Sequence, residues 1–211
     1  MINEPSISIH ETIYRSLRQR IMFGEIMPGT SFTIRGLANE FEVSMTPVRE
    51  ATRRLVAEGA FSMSNSGRIN TSELNSDRIE ELLSLRHLLE PELAIRALPR
   101  VHNALIDRLS SINKLIEEMI VKENSIGYIQ KNIEFHKTLY LRAQAPAMLA
   151  LLETVWLQSG PTMRSLYEEK IRYRTTYNHR LLLSALRLGS KAKLVSSIKA
   201  DVTSGLGMLL I

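Results

Sequence analysis

The chain has 211 residues, 44% of them hydrophobic, and carries a net charge of +5 at pH 7. This length allows one large domain or two small ones with a buried core, and the composition excludes a disordered chain. Because there is no cysteine, disulfide bonds and thiolate metal sites are excluded, and a reducing compartment is consistent with the sequence.

The N-terminal residues lack the basic and then apolar pattern of a secretion signal, and no apolar run is long enough to span a membrane. We therefore expect a cytoplasmic protein that makes no membrane contact. The positive charge is spread along the chain, so by itself it favours a polyanionic partner only weakly. The positions of the arginines carry more information than the total charge.

Residues 9 to 22 are predicted to form an amphipathic helix. Ile9, Ile13, Leu17 and Ile21 recur every four positions, which places them on one face, with arginines on the other. Gly24 is expected to end this helix, and the following Pro-Gly pair predicts a turn.

Residues 33 to 59 are predicted to form two short helices joined by a tight turn. The second helix is expected to begin where Thr46 can cap it and Pro47 can take the first helical position. Gly59 is expected to end it with a positive φ. Such a pair of helices, with arginines on the outer face of the second, is the shape that places a recognition helix in the major groove of DNA.

The next segment, residues 60 to 71, alternates loosely around Asn65, Ser66 and Gly67, which is typical of a short β-hairpin. Beyond Ser72 the pattern changes to that of long helices. Their predicted ranges are 77 to 98, 103 to 121, 125 to 143, 146 to 170, 175 to 188 and 190 to 209. The predicted fold is therefore mainly α, with a winged helix-turn-helix over residues 1–72 and an all-α antiparallel bundle over 73–211.

The stretch LANEFEVSMTPVREATRRLVAEGAF resembles the winged helix-turn-helix of the GntR family of regulators. The resemblance continues upstream through Tyr14, Leu17 and Pro28 and downstream to Arg68. It implies a DNA-binding module. The chain departs from the family at Met45, where members commonly have arginine, so the usual operator of the family cannot be carried over.

Arginine can bind guanine through two directional hydrogen bonds, which makes Arg49, early in the second helix, the first candidate for reading a base. Arg35 is placed to reach a base edge or a phosphate. The Ser44 and Thr46 hydroxyls suit phosphate contacts, and Arg68 on the wing could enter the minor groove. For Arg53 two alternatives stay open, which are a DNA contact and a solvated helix face.

Four polar residues are predicted to point into the helical bundle. Asn132 and His136 lie four residues apart on an apolar stripe, and His179 and Asp201 lie on the apolar stripes of two later helices. Because a buried charge needs a partner, these side chains should meet each other. They could hold a divalent metal such as Zn, Ni or Mn, or they could form a hydrogen-bonded cluster without metal.

The order of these residues also resembles the FCD ligand-binding domain of FadR-type GntR regulators. The resemblance implies a metal that in turn binds a carboxylate effector. This chain has Asn132 in the place of the usual aspartate and Asp201 in the place of the last histidine. Arg86 matches a position that often faces the effector, although an ion pair with Glu90 is an equally good interpretation; Arg164 is a second candidate for effector binding.

We therefore expect a transcription regulator, most simply a repressor, that binds a palindromic operator as a homodimer. The helical domain would pair the two copies and sense a small carboxylic acid. Two alternatives stay open. One is a metal-free sensor of an acyl thioester, and the other is a metal-dependent enzyme built on the histidine cluster.

Overall fold

In this computed structural model, residues 8–64, 67–169 and 175–210 are described. They form a mainly helical fold with one small sheet. The helices are α1 Ile9–Met22, α2 Ile34–Glu40, α3 Met45–Ala57, α4 Ser76–Ala97, α5 Asn103–Val121, α6 Ser125–Tyr140, α7 Pro146–Glu169, α8 Thr175–Arg187 and α9 Lys191–Ser204. The strands are β1 Ser31–Phe32, β2 Phe61–Met63 and β3 Ile69–Thr71.

The predicted first helix is confirmed over its full range. Its residues Ile13, Leu17 and Ile21 are buried, but Ile9 is 59% exposed because the helix begins beyond the edge of the core. At the other end, the N–H of Gly24 donates to Ile21 and the next N–H to the carbonyl of Arg20. Gly24 has a φ of +68°, which allows these two bonds to close the helix.

The helix-turn-helix is formed by α2 and α3. Thr33 caps α2 by accepting a hydrogen bond from the N–H of Gly36 at 2.9 Å. The start predicted for the second helix was wrong, because α3 begins at Met45 with Ser44 as its cap residue. Pro47 is thus the third helical residue, which is tolerated since N–H groups in the first turn have no partner within the helix.

The wing is a three-stranded antiparallel sheet in the order β1-β3-β2. The predicted hairpin corresponds to β2 and β3, with Ser62 opposite Asn70, while two residues of its expected turn, Asn65 and Ser66, lie outside the described residues. The sequence did not predict β1, because two residues are too few to show an alternating pattern.

The helical domain is built around α4, which packs against α7 on one side and α9 on the other. The pairs α5–α6 and α8–α9 complete the bundle. Two predicted helices end earlier than expected, and short 3₁₀ turns continue them at Leu141–Ala143 and Leu206–Leu210. Within the described ranges, no helix combines the length and apolar character needed to cross a membrane.

Helix α7 connects the two parts of the chain. Its Leu157 belongs to the apolar core of the N-terminal module, whereas its Trp156 belongs to the core of the bundle. Helix α1 packs directly on α7. The boundary between residues 72 and 73 stays a prediction, since the two cores are in contact.

Candidate functional site

All seven residues predicted to contact DNA lie on the surface. They are Arg35, Ser44, Met45, Thr46, Arg49, Arg53 and Arg68. Arg49 and Arg53 are one turn apart on the outer face of α3, and Arg35 is in the first turn of α2. Within the described part of the chain, the guanidinium groups of these three arginines form no hydrogen bond or ion pair.

Four other arginines of this module are neutralised by glutamates. The pairs are Arg15–Glu11 at 2.7 Å, Arg18–Glu58 at 3.2 Å, Arg20–Glu40 at 2.6 Å and Arg54–Glu11 at 2.6 Å. Arg54 also lies over the ring of Tyr14, 3.6 Å from its centroid. Ion pairing therefore separates arginines that stabilise the module from arginines that remain free for a polyanion.

Two of these free arginines border a concave surface between α3 and the wing. Arg49, Thr52 and Arg53 line one side of it, while Met63 and Gly67 line the other. At the start of α3, the Ser44 side chain makes no capping hydrogen bond, so it does not occupy the N–H groups of the first turn. Met45 is 47% exposed there and offers no charge.

Three of the four inward polar residues converge in the bundle. His136 on α6, His179 on α8 and Asp201 on α9 each offer one ligand atom within 4.8 Å of the others. The Nε2 atom of His136 lies 3.1 Å from Oδ2 of Asp201, and the two Nε2 atoms are 3.3 Å apart. All three side chains are at most 6% exposed.

The outer nitrogens of both imidazoles are held by neighbouring side chains. Nδ1 of His179 lies 3.0 Å from the side-chain oxygen of Asn113. Nδ1 of His136 lies 3.3 Å from the hydroxyl of Tyr140, which itself donates to Glu90 at 2.9 Å. Both Nε2 atoms face Asp201, at 3.1 Å from Oδ2 for His136 and 3.7 Å from Oδ1 for His179.

Burial lowers the pKa of His179 to about 4. Burial alone would raise the pKa of Asp201, but the nearby imidazoles and a guanidinium outweigh it, and that pKa is lowered from its ordinary value. Near pH 7 a neutral imidazole therefore faces an ionised carboxylate. These are the protonation states in which both groups coordinate metals.

The cluster fits a divalent metal ion. Oδ1 of Asp201 is buried and has no hydrogen-bond partner within the described residues. A buried carboxylate oxygen left unpaired between two imidazole nitrogens is costly, and a cation would satisfy all of these acceptors at once. Two imidazoles and one carboxylate form a donor set of the kind that zinc binds.

Asn132, the fourth predicted ligand, lies next to the cluster, and its role as a ligand stays a prediction. It is half-buried and lies on the wall of a pocket of about 30 Å³ beside the cluster, together with His136 and Arg86. Trp156 and Met22 line the same pocket. Met22 comes from α1, so the DNA-binding module supplies part of this wall.

The position of Arg86 is compatible with both predictions, an ion pair with Glu90 and a place facing the pocket. Its Nε donates to Glu90 at 2.6 Å, which is the ion pair, and the side chain also lines the pocket. Glu90 is completely buried and accepts two further hydrogen bonds, from Tyr140 and from the indole of Trp156 at 3.3 Å. Nothing but the i, i+4 spacing from Arg86 pointed to Glu90 in the sequence.

Arg164 lies elsewhere. It is not among the pocket-lining residues, and its guanidinium donates to the carbonyl of Gly24 at 3.1 Å, at the junction of α7 with the end of α1. The junction has a second bond, in which Gln158 donates to the carbonyl of Glu58 at 2.8 Å. Arg164 thus contributes to the contact between the domains, and its role in effector binding stays a prediction.

Comparison with known families decides what kind of protein this is. Residues 9–67 match the bacterial regulatory proteins of the gntR family, and residues 81–203 match the FCD domain. The chain belongs to the GntR family, in the group with an FCD domain. GntR proteins are transcription regulators and not enzymes, so the enzymatic alternative is set aside.

Individual GntR relatives are similar over most of the chain. The HTH-type transcriptional regulator McbR of Escherichia coli K12 is 25% identical over 88% of this chain and 85% of its own length. The gluconate operon transcriptional repressor of Bacillus subtilis 168 is 28% identical, over 86% of this chain and 77% of its own. The Exu regulon transcriptional regulator of E. coli K12 is 28% identical, over 88% and 78%.

Solved structures of GntR proteins show the same fold. E. coli McbR/YncC superposes with a TM-score of 0.88 over 96% of this chain and 97% of that one, at 23% identity. A transcriptional regulator GntR from Rhodococcus sp. RHA1 superposes with a TM-score of 0.81 over 97% and 98%, at 19% identity. These likenesses confirm the predicted fold class.

Proposed function

We propose that this GntR protein is a cytoplasmic repressor whose operator binding is controlled by a small carboxylic acid in the bundle. One observation carries this proposal: Met22 of the DNA-binding module lines the same pocket as His136 and Arg86. If this wall has two arrangements, a ligand that binds one of them more tightly increases the population of protein in that arrangement. The pocket and the DNA-binding face are thereby coupled through α1.

On DNA, Arg49 is the proposed reader of a guanine edge, and Arg35 contacts a base edge or a phosphate. The Ser44 and Thr46 hydroxyls and the free N–H groups of the α3 start bind phosphates. Arg53 contacts DNA as well, because it has no partner of its own and borders the concave surface beside the wing. Arg68 reaches the minor groove from the wing.

We propose that two copies pair through the bundle and bind a palindromic operator. Exposed leucines on two helices that pack together support this pairing of two copies. Leu85 and Leu88 on α4 are 37% and 70% exposed, and Leu151 on α7 is 61% exposed. Apolar surface of this kind favours association. A Leu88→Glu substitution is then expected to give monomers in light scattering and to abolish tight operator binding.

In the pocket, His136, His179 and Asp201 hold the metal, and Asn132 and Arg86 face the bound acid. The metal supplies positive charge for a carboxylate. Arg86 adds a charge-assisted hydrogen bond through nitrogens that Glu90 does not occupy. An acyl thioester is not proposed, because its acyl end carries no carboxylate for a metal and Arg86 to bind.

The assignment as a repressor draws support from the name of the gluconate operon repressor among the relatives.

A test of the proposed function uses an operator recovered from genomic DNA and a panel of small carboxylic acids. With zinc-loaded protein, one acid is expected to weaken operator binding by about fivefold or more. The His179→Ala protein is expected to bind the operator and not respond, and an equal response in that variant would overturn the proposal.

A further inference from the structure

The exposed side of α3 is divided into two rows of side chains. One row turns towards α1, where Arg54 pairs with Glu11 at 2.6 Å. The other row consists of Met45, Arg49 and Arg53, which follow one another at intervals of four residues and are all exposed. Residues at this interval lie above one another on one face of a helix. We call these three residues the outer row.

The outer row is open to an incoming molecule. Within the described part of the chain, no hydrogen bond or ion pair occupies the guanidinium groups of Arg49 and Arg53. Both arginines border the concave surface between α3 and the wing. Met45 begins the outer row and is 47% exposed. A long apolar side chain therefore lies one turn before two unpaired cations.

Met45 also lies at the end of α3 that suits phosphate contacts. It is the first residue of the helix, and the Ser44 side chain before it makes no capping hydrogen bond. The N–H groups of the first turn therefore keep their capacity to bind phosphate oxygens. Contacts of this kind fix the register of a protein on the duplex, and the first residues of a recognition helix then meet the base edges.

The chemistry of the thioether limits what Met45 can recognise in a groove. Its side chain has no hydrogen-bond donor and its sulfur is a weak acceptor, so it cannot match the donors and acceptors of a base edge. The C5 methyl group of thymine is the apolar group that the base pairs display in the major groove. An apolar side chain in the outer row therefore distinguishes thymine from the other bases by contact with this methyl group.

We propose that Met45 is a specificity-determining residue that selects a thymine by packing against its C5 methyl group. The inference rests on the proposed function, in which Arg49 reads a guanine from the same row. Four residues of an α-helix rise about 6 Å, and successive bases of one strand are about 3.4 Å apart. The thymine therefore lies about two base pairs from that guanine in each half-site.

Replacement of single thymines by uracil in the operator tests this, because uracil pairs as thymine does and lacks only the methyl group. The full-length protein is titrated by fluorescence anisotropy against an operator recovered from genomic DNA, with one thymine of one half-site changed at a time. At one position, near the guanine whose contact Arg49→Ala removes, wild-type affinity is expected to fall about three- to fourfold. Uracil at the other thymines is expected to leave the affinity nearly unchanged.

Two substitutions of similar size separate apolar contact from shape. Met45→Leu keeps an apolar side chain and is expected to keep the preference for thymine over uracil. Met45→Gln introduces an amide on a side chain of nearly the same length, so this variant is expected to bind the thymine and uracil operators equally. Met27→Ala is the control and keeps the wild-type preference, because Met27 is 37% exposed in the turn before β1, outside the outer row.

Other results would overturn the inference. If no single uracil weakens wild-type binding, if Met45→Leu abolishes the preference or if Met45→Gln retains it, Met45 does not select a thymine, while the proposed function stands. A sensitive thymine far from the guanine that Arg49 contacts would contradict the placement of both residues in one row. If the protein recovers no operator at all, the proposed function fails together with this inference. Circular dichroism melting of each variant shows that a lost preference is not lost folding.

Discussion

The carbonyl oxygen of Met22 lies 2.6 Å from the point that a Cβ atom on Gly160 would occupy. The carbonyl oxygen of Ile21 is closer still to that point. Glycine is therefore required in α7 where the end of α1 rests on it. This contact fixes the DNA-binding module against the wall of the pocket beside the histidine cluster.

A Gly160→Ala substitution is expected to push α1 away from α7, since backbone atoms cannot yield as a flexible side chain does. The expected cost is about 1 to 3 kcal/mol in the free energy of unfolding, measured by urea denaturation. Gly207→Ala is the control, because its nearest contact would be an ordinary 3.4 Å. Equal stability of the two variants would show that the close contact does not hold the domains together.

Replacement of Arg49 by alanine is expected to weaken specific operator binding by about 1 to 3 kcal/mol and to relax the base preference at one position. Fluorescence anisotropy with the operator and with single-base variants measures both effects. Arg15→Ala is a suitable control, since Arg15 is already paired with Glu11. Unchanged discrimination by the Arg49→Ala protein would exclude it as the base reader.

Arg53→Gln is expected to lower affinity for all DNA sequences about equally and to reduce the slope of log affinity against log salt by about one unit. The physical reason is that one fewer phosphate counterion is released. The measurement is a series of operator titrations between low and physiological salt. If the slope of the variant matches that of the wild type, Arg53 is a solvated surface residue instead.

Loss of either cluster histidine is expected to abolish stoichiometric zinc binding. Elemental analysis of dialysed protein should find zinc in the wild type and none after His136→Ala or His179→Ala. His87→Ala is the matched control, because His87 lies in the bundle outside the cluster and contacts Thr203. Saturating zinc should also stabilise the wild type, by about 4 kcal/mol at a thousand times the dissociation constant. A wild-type protein that binds no zinc would favour the alternative of a hydrogen-bonded cluster without metal.

Glu90→Gln is expected to destabilise the protein strongly, by about 3 to 5 kcal/mol, because it leaves the buried Arg86 without its counter-charge. Glu92→Gln on the same helix is the comparison, since Glu92 forms an exposed pair with Arg96 and its loss should cost less than about 1 kcal/mol. Chemical denaturation of both variants decides this. Similar losses in the free energy of unfolding for the two variants would mean that burial of the Arg86–Glu90 pair contributes nothing to stability.

The sequence predicted those features that depend on local spacing. The four-residue repeat of Leu17 and Ile21 placed α1, and the apolar stripes of three helices brought His136, His179 and Asp201 together. It could not reveal that Tyr140 bonds to Glu90, because that contact joins residues 50 positions apart on different helices. Such pairs depend on how helices pack, which periodicity does not encode.

One local prediction, the start of α3, was wrong for a physical reason. Thr46 was expected to cap α3, but Ser44 occupies the cap position, and its side chain makes no capping hydrogen bond. A proline is accepted anywhere in the first turn and therefore does not fix the first helical residue. The sequence also gave no sign that Arg164 would donate a hydrogen bond to the carbonyl of Gly24 in the other domain. The sequence alone did not show that α1 would pack there.

The most direct test of the DNA-binding account is selection of genomic fragments by the purified protein, followed by sequencing. We expect the wild type to recover fragments that share an inverted repeat, and the Arg35→Ala/Arg49→Ala double variant to recover none of them above background. Recovery of the same fragments by that variant, or fragments without a common repeat for the wild type, would contradict the account.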